Sequence, residues 1–165
     1  MNPALYLTVG LPTLIQGYVV GCFALLFRVI KKPGFDGPVL YGEWAPWIAK
    51  RWSYTTTIGA FQGRASWFDE RTRVHEAIHL EQYMNLNMLG AVLAACLVPA
   101  LGWWSFLVWG TSGAPWILPN FLTAIINYKR PGVSWLQAAY YQSSHERHAY
   151  AETKTFFDNM RDRWE

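Results

Sequence analysis

Charge is confined to two stretches of the chain. Every Asp, Glu, Lys and Arg lies between Arg28 and Glu81 or between Lys129 and Glu165, so residues 1–27 and 82–128 carry none. A helix that crosses a bilayer needs about 20 mostly apolar residues, because unpaired charge is costly in hydrocarbon. Leu5 to Phe27 meets that requirement, with Pro12 as a kink point, and is followed by Arg28, Lys31 and Lys32. The stretch lacks a basic start and a small-residue cleavage site, so it predicts a retained anchor whose carboxyl end faces the cytoplasm. The second uncharged block is long enough for two passes, Leu86 to Trp109 and Trp116 to Tyr128, turning at Thr111-Ser112-Gly113-Ala114-Pro115. Pro119 and Asn120 interrupt the second pass, so a re-entrant or interfacial hairpin is an equal reading. Either form returns the chain to the side it left and keeps both charged segments on the cytoplasmic face.

The charged segments predict a different periodicity. Lys32 to Pro38 is dense in turn formers and predicts a loop, and residues 44–52 predict a short amphipathic helix. Tyr54 to Phe61, rich in β-branched and aromatic residues, predicts a strand. Asp69 is an N-cap for a helix over Glu70 to Tyr83, and Val133 to Arg163 predicts one or two further helices. The expectation is one folding unit over 1–165, mainly α with a small β element. Its parts are an anchor (1–30), a strand and charged helix (31–83), a hydrophobic membrane hairpin (84–128) and a C-terminal helical segment (129–165).

Composition sharpens this picture. The chain is 52% hydrophobic and 15% charged and holds ten Trp, where soluble domains carry about 25% charge. A lipid bilayer is therefore the expected partner, with Trp103, Trp104, Trp109 and Trp116 as an interfacial belt. The competing reading is a soluble protein whose uncharged block is an oligomer or virion interface. Net charge is only +3 and no Lys/Arg run is present, which excludes a nucleic-acid partner. Cys22 and Cys96 have no metal or disulfide spacing and read as small hydrophobes.

The chemistry is concentrated in four histidines. His75-Glu76-Ala77-Ile78-His79 places two imidazoles at i and i+4, one helical turn apart on one face, where both reach one ion about 2.0 to 2.1 Å away. Zinc in such a site polarises a carbonyl and acidifies water towards a pKa of about 7, and a carboxylate beside the ligands, here Glu76, is the general base. The remaining histidines, His145 and His148, fall in Ser144-His145-Glu146-Arg147-His148-Ala149-Tyr150-Ala151-Glu152. A catalytic zinc takes three protein ligands and leaves one position open, so this second cluster is the expected source of the third.

These two segments resemble the gluzincin branch of the zinc metallopeptidases. There His-Glu-x-x-His is followed by a downstream helix with Glu-x-x-small-x. Glu146, Ala149 and Tyr150 are similar to the Glu-x-x-Ala-Tyr form of small bacterial and phage members, and His79-Leu80-Glu81-Gln82 to their His-x-x-Gln extension. Ile58-Gly59 resembles the edge strand lining the zincin cleft. The resemblance covers residues 52–83 and 140–155 and implies a zincin-like fold with Zn2+ held by His75, His79 and Glu146. His145 and His148 compete with Glu146 as donors. Gln82 and Glu152 are candidates for fixing a ligand ring against the default of a solvated glutamine and an exposed carboxylate, Tyr140, Tyr141 and Tyr150 are candidate oxyanion donors against a packing role, and Arg71 and Arg73 are expected to serve the helix surface or lipid headgroups. The function expected is hydrolysis of a peptide or amide bond in a peptide or protein substrate at the membrane surface. The alternative is a catalytically silent zincin-like component of a membrane complex or virion. Haem ligation is a weak third reading, since haem sites draw histidines from separated helices.

Overall fold

A computed structural model gives the fold for residues 8, 10–51, 54–112, 122, 125, 126 and 143–161. The second predicted pass, Trp116 to Tyr128, lies almost wholly outside the described residues, as do Tyr140 and Tyr141. Helix α1 (Leu11–Leu26) leads into β1 (Ile30–Asp36) and β2 (Val39–Trp44), the short α2 (Pro46–Ala49), and β3 (Thr56–Ile58) and β4 (Phe61–Arg64). Helix α3 (Glu70–Leu101), a 3-10 turn at Gly102–Trp104, α4 (Ser105–Gly110) and α5 (Ser144–Arg161) complete the order. The protein is mostly helical, with one four-stranded sheet.

The sheet order is β1-β2-β4-β3. The β1–β2 and β3–β4 pairs are antiparallel, while β2 and β4 run parallel from Leu40 opposite Phe61 to Glu43 opposite Arg64. The loop expected over Lys32 to Pro38 is in fact most of a β-hairpin. Pro33 and Gly34 sit where the register shifts in an edge strand, where a missing N–H breaks no inner ladder. Gly37, at φ +58°, makes the turn with Pro38. The strand expected over Tyr54 to Phe61 is likewise two strands, divided by a turn at Gly59 (φ +56°) and Ala60.

One face of α1 is made of small residues and packs on the sheet. A side chain at Gly17 would meet Ala60 backbone 2.3 Å away, and one at Gly21 would meet Leu40 at 2.4 Å. The opposite face is large and apolar: Leu11, Ile15, Tyr18, Val19, Phe23 and Leu26 are all exposed. At about 1.5 Å per residue α1 is about 24 Å long, short of a hydrocarbon core of about 30 Å.

Helix α3 continues well past the expected end at Tyr83. Its buried residues, His75, Glu76, His79, Leu80, Tyr83, Met84, Asn87, Gly90 and Ala94, form one stripe at helical spacing. Leu80 and Met84 pack with Leu14 of α1 and Ala60. The helical stretch Glu70–Gly110 is long and apolar enough to cross a membrane, and only 11% of its most apolar window is buried. It is not straight throughout. Gly102, at φ +54°, ends α3, and α4 packs back, with Ser112 donating to Asn87 Oδ1 at 2.7 Å and Gly90 facing Ser112 and Trp109. A reversal therefore occurs at Gly102, ahead of the turn expected at Thr111 to Pro115. Trp103 and Trp104 sit at that reversal, 85% and 74% exposed. Asn87 also bonds Thr13 of α1, so one buried amide ties α1, α3 and α4.

Candidate metal centre

Helix α3 begins where Asp69 accepts from the Thr72 backbone N–H at 2.8 Å and from its hydroxyl at 2.6 Å. Those bonds from Thr72 hold the Asp69 carboxyl below its ordinary value. One and two turns later His75 and His79 point inward, 6% and 2% exposed, with Glu76 at 3%. Helix α5 is packed alongside. Its start is capped by Ser143, whose hydroxyl accepts from the Glu146 N–H at 3.2 Å. Ser-x-x-Glu is the capping-box pattern, in which the glutamate reaches back to its own helix end. Here the Glu146 side chain turns to α3 instead and is 3% exposed.

Glu146 Oε2 lies 3.1 Å from His75 Nε2, Glu146 Oε1 lies 3.2 Å from His79 Nε2, and the two ring nitrogens are 3.1 Å apart. Bonds of about 2.0 to 2.1 Å at tetrahedral angles place neighbouring donors about 3.3 Å apart, so the spacing fits one ion. The tautomers agree. Gln82 donates its amide N–H to the His145 carbonyl at 3.1 Å, which directs Gln82 Oε1 at His79 Nδ1, 3.0 Å away. An amide oxygen only accepts, so Nδ1 carries the proton and neutral His79 presents a lone pair at Nε2. That lone pair faces a carboxylate oxygen and another imidazole nitrogen, a cluster of electron-rich atoms that a cation stabilises. Among the described residues His75 Nδ1 is buried without a hydrogen-bond partner. His75, His79 and Glu146 thus form a buried group able to hold a metal ion.

A second proton arrangement is open to the same three groups, in which ring Nε2–H groups donate to Glu146 where a cation would otherwise stand. Burial alone raises the Glu146 carboxyl, but the hydrogen bonds and charges of His75 and His79 outweigh it and hold the group below its ordinary value. Glu146 is a carboxylate in this setting. The Tyr150 ring lies tilted against His75 with centroids 4.5 Å apart, and burial followed by Glu146 and Glu76 raises its phenol.

Glu76 lies next to the triad and outside it. Its Oε2 accepts from the Thr57 hydroxyl on β3, so the edge strand holds the carboxylate. Two clefts meet at Glu76. One of about 570 Å³ runs between α1, the β1–β2 turn, the sheet and α3, and one of about 170 Å³ is lined by Tyr54, Arg71, His75 and Tyr150.

Among the three candidates for third donor in the C-terminal segment, the geometry brings in Glu146. His145 contributes its backbone carbonyl to Gln82, while His148 and Glu152 line a separate cleft with Glu81 on the other side of the α3–α5 contact. Gln82 touches His79. Arg73 does more than serve the helix surface, since it reaches Asp36 at 3.4 Å, and Arg71 lines the smaller cleft. Thr57 and Ser143 were not anticipated. The Ser-x-x-Glu spacing was the available signal for Ser143, and for Thr57 the sequence carries only strand propensity. Comparison of the chain with protein-family models, with curated proteins and with solved structures gives no match.

Proposed function

We propose that the chain is a membrane-associated, zinc-dependent hydrolase of peptide or amide bonds, of zincin-like type, with Glu76 as general base. The observation that carries this reading is the position of Glu76: a buried carboxylate beside three converging donors, at the junction of two clefts. A structural zinc is closed by four protein ligands and needs no base. Among the described residues the group that converges has three.

Zinc, when bound by His75, His79 and Glu146, supplies Lewis acidity towards a carbonyl oxygen and acidifies water. The chain's own residues do the rest. Thr57 occupies Oε2 of Glu76 and leaves Oε1 to accept a proton from the attacking water and pass it to the departing amine. Gln82 keeps His79 in the tautomer that binds. Tyr150, tilted against His75 in the smaller cleft, is the candidate donor to the developing oxyanion. Association with a bilayer is supported by the exposed apolar face of α1 and the mostly unburied helical hairpin that ends at Trp103 and Trp104.

Metal analysis of the purified chain tests the first half, with one zinc per chain expected. Glu76→Gln tests the second. It is expected to keep the metal and to lose hydrolysis of a peptide library by about 100-fold or more. Full biological activity in Glu76→Gln would assign the protein to the other reading, a silent component of a membrane or virion assembly.

A further inference from the structure

We infer that the larger cleft admits a hydrocarbon chain from the bilayer-facing side of α1, so that the substrate is an amphiphilic amide whose apolar part is drawn from the membrane. This rests on the hydrolase reading of Glu76.

Glu76 and Thr57 supply the cleft's chemical groups, and Leu14, Leu80 and Val39, packed together, supply with Tyr18 an apolar wall. Its volume, about 570 Å³, is in the range of sites that enclose a small molecule, roughly 300 to 1,000 Å³. Two carboxylates, Asp36 and Glu76, and two guanidiniums, Arg64 and Arg73, line it and balance in formal charge. Asp36 is shared by Arg64 at 3.2 Å and Arg73 at 3.4 Å, and the Arg64 guanidinium lies over the Tyr41 and Phe68 rings. A wall without surplus charge suits an uncharged amide better than an ion.

Tyr18 connects this cleft to the outside. Its side chain also lines a shallow apolar cleft of about 330 Å³ with Val19, Cys22, Phe23 and Leu26, on the face of α1 turned away from the sheet. The two cavities therefore adjoin at one residue. What closes the passage is light: the Tyr18 hydroxyl donates to the Pro38 carbonyl at 2.9 Å, and its ring meets Phe35 edge-on at 6.5 Å. Phe35 is itself exposed. One exposed hydrogen bond between α1 and the β1–β2 turn is a small barrier. A chain lying along the apolar face of α1 reaches Glu76 by displacing Tyr18, without entering water. The reaction at Glu76 is ordinary hydrolysis. Water oxygen bonds to the acyl carbon, the carbon–nitrogen bond breaks, and Glu76 carries the water proton to the amine.

The test uses the zinc-loaded full chain in phosphatidylcholine nanodiscs and three probes: acetohydroxamate, octanohydroxamate and dodecanohydroxamate. Hydroxamates chelate zinc, and calorimetry reads their binding without turnover. The expected result is that dodecanohydroxamate binds about 100-fold tighter than acetohydroxamate, as burial of three to four methylenes supplies. Val39→Trp, which fills space along the apolar wall, is expected to remove that gain and leave acetohydroxamate affinity unchanged. Membrane partition of the probe is the same for both proteins, so a gain that persists in Val39→Trp overturns the inference. Ala77→Trp, at an exposed helix position on the same cleft, serves where Val39→Trp melts below the wild type. Equal affinities along the series with zinc bound overturn this inference alone, whereas absence of stoichiometric zinc overturns the hydrolase reading beneath it.

Discussion

Removing the Gln82 side chain isolates the effect of a hydrogen bond one step away from the metal. Gln82 makes two contacts that depend on each other: it accepts from His79 Nδ1 at 3.0 Å and donates to the His145 carbonyl at 3.1 Å. The second fixes the amide's orientation, and the first thereby fixes the imidazole tautomer. In Gln82→Ala both bonds are lost and His79 samples a tautomer whose Nε2 carries a proton and cannot bind. Partly buried hydrogen bonds contribute about 0.5 to 1.5 kcal/mol each, so about 1 to 3 kcal/mol is divided between folding and metal retention. Loss of such an outer partner typically weakens metal binding about 10- to 100-fold. Zinc competition against a chromophoric chelator measures this directly. Gln82→Glu keeps an acceptor for Nδ1 and gives up the donor to His145, so it is expected to recover most of the zinc affinity and little of the folding stability. An unchanged zinc affinity in Gln82→Ala would refute the tautomer reasoning, and equal losses in Ala and Glu variants would show that Gln82 acts only by packing α5 on α3.

Three further outcomes follow from the fold. Gly17→Ala places a methyl 2.3 to 2.6 Å from the Ala60 backbone, which overpacks the α1–sheet contact by about 1 to 3 kcal/mol; a lower melting midpoint checks it, and an unchanged one rejects that contact. Asp69→Ala is expected to cost about 1 kcal/mol of stability near neutral pH. The folded Asp69 carboxyl lies below its unfolded value, so the cap is complete above the unfolded pKa of about 3.9 and fades as pH falls through the folded one. Asp69→Asn, which caps without ionising, should flatten that acid limb, and a limb unchanged by it would assign the acid loss to other carboxylates. Replacing Trp103 and Trp104 together by Ser is expected to weaken partition onto phosphatidylcholine liposomes about tenfold or more without lowering thermal stability, since both rings are exposed. Undiminished co-sedimentation would remove the hairpin tip from the membrane contact.

The metal triad was legible because its spacing is the helix's own period. His75 and His79 are one turn apart, and any helix through them presents both. Glu146 was harder to separate from His145 and His148. Its selection comes from the face of α5: Glu146, Ala149 and Thr153 form the buried row, and at about 100° per residue His145 and His148 lie roughly 75° and 130° from its centre, both on the same side. The β1–β2 hairpin was hidden by Pro33, Gly34, Gly37 and Pro38, four turn formers of which two lie at a register shift in an edge strand. Gly17, Gly21 and Ala24 did mark a packing face of α1, at i, i+4 and i+7, though large apolar residues on the opposite side made the whole segment read as an anchor. Asn87 and Thr13 are far apart in sequence, and nothing local announces their bond. The expected break between charged helix and apolar hairpin failed for a simple reason. Polarity changes at Gln82, but the residues from Gln82 to Ala95 contain no proline, and the backbone continues through Gly90, which packs against Ser112 and Trp109.

That continuity has a mechanical result. If the proposed function holds, the residues that would hold the ion and those that would face lipid are carried by one continuous helix, so the height of the centre above the apolar layer is set by counting residues. From His79 to Leu86 the rise is about 10 Å, which would confine attack to bonds lying within a short distance of the lipid surface. Inserting a single residue between them would swing the centre about 100° around the rod axis and detach it from both α5 and β3.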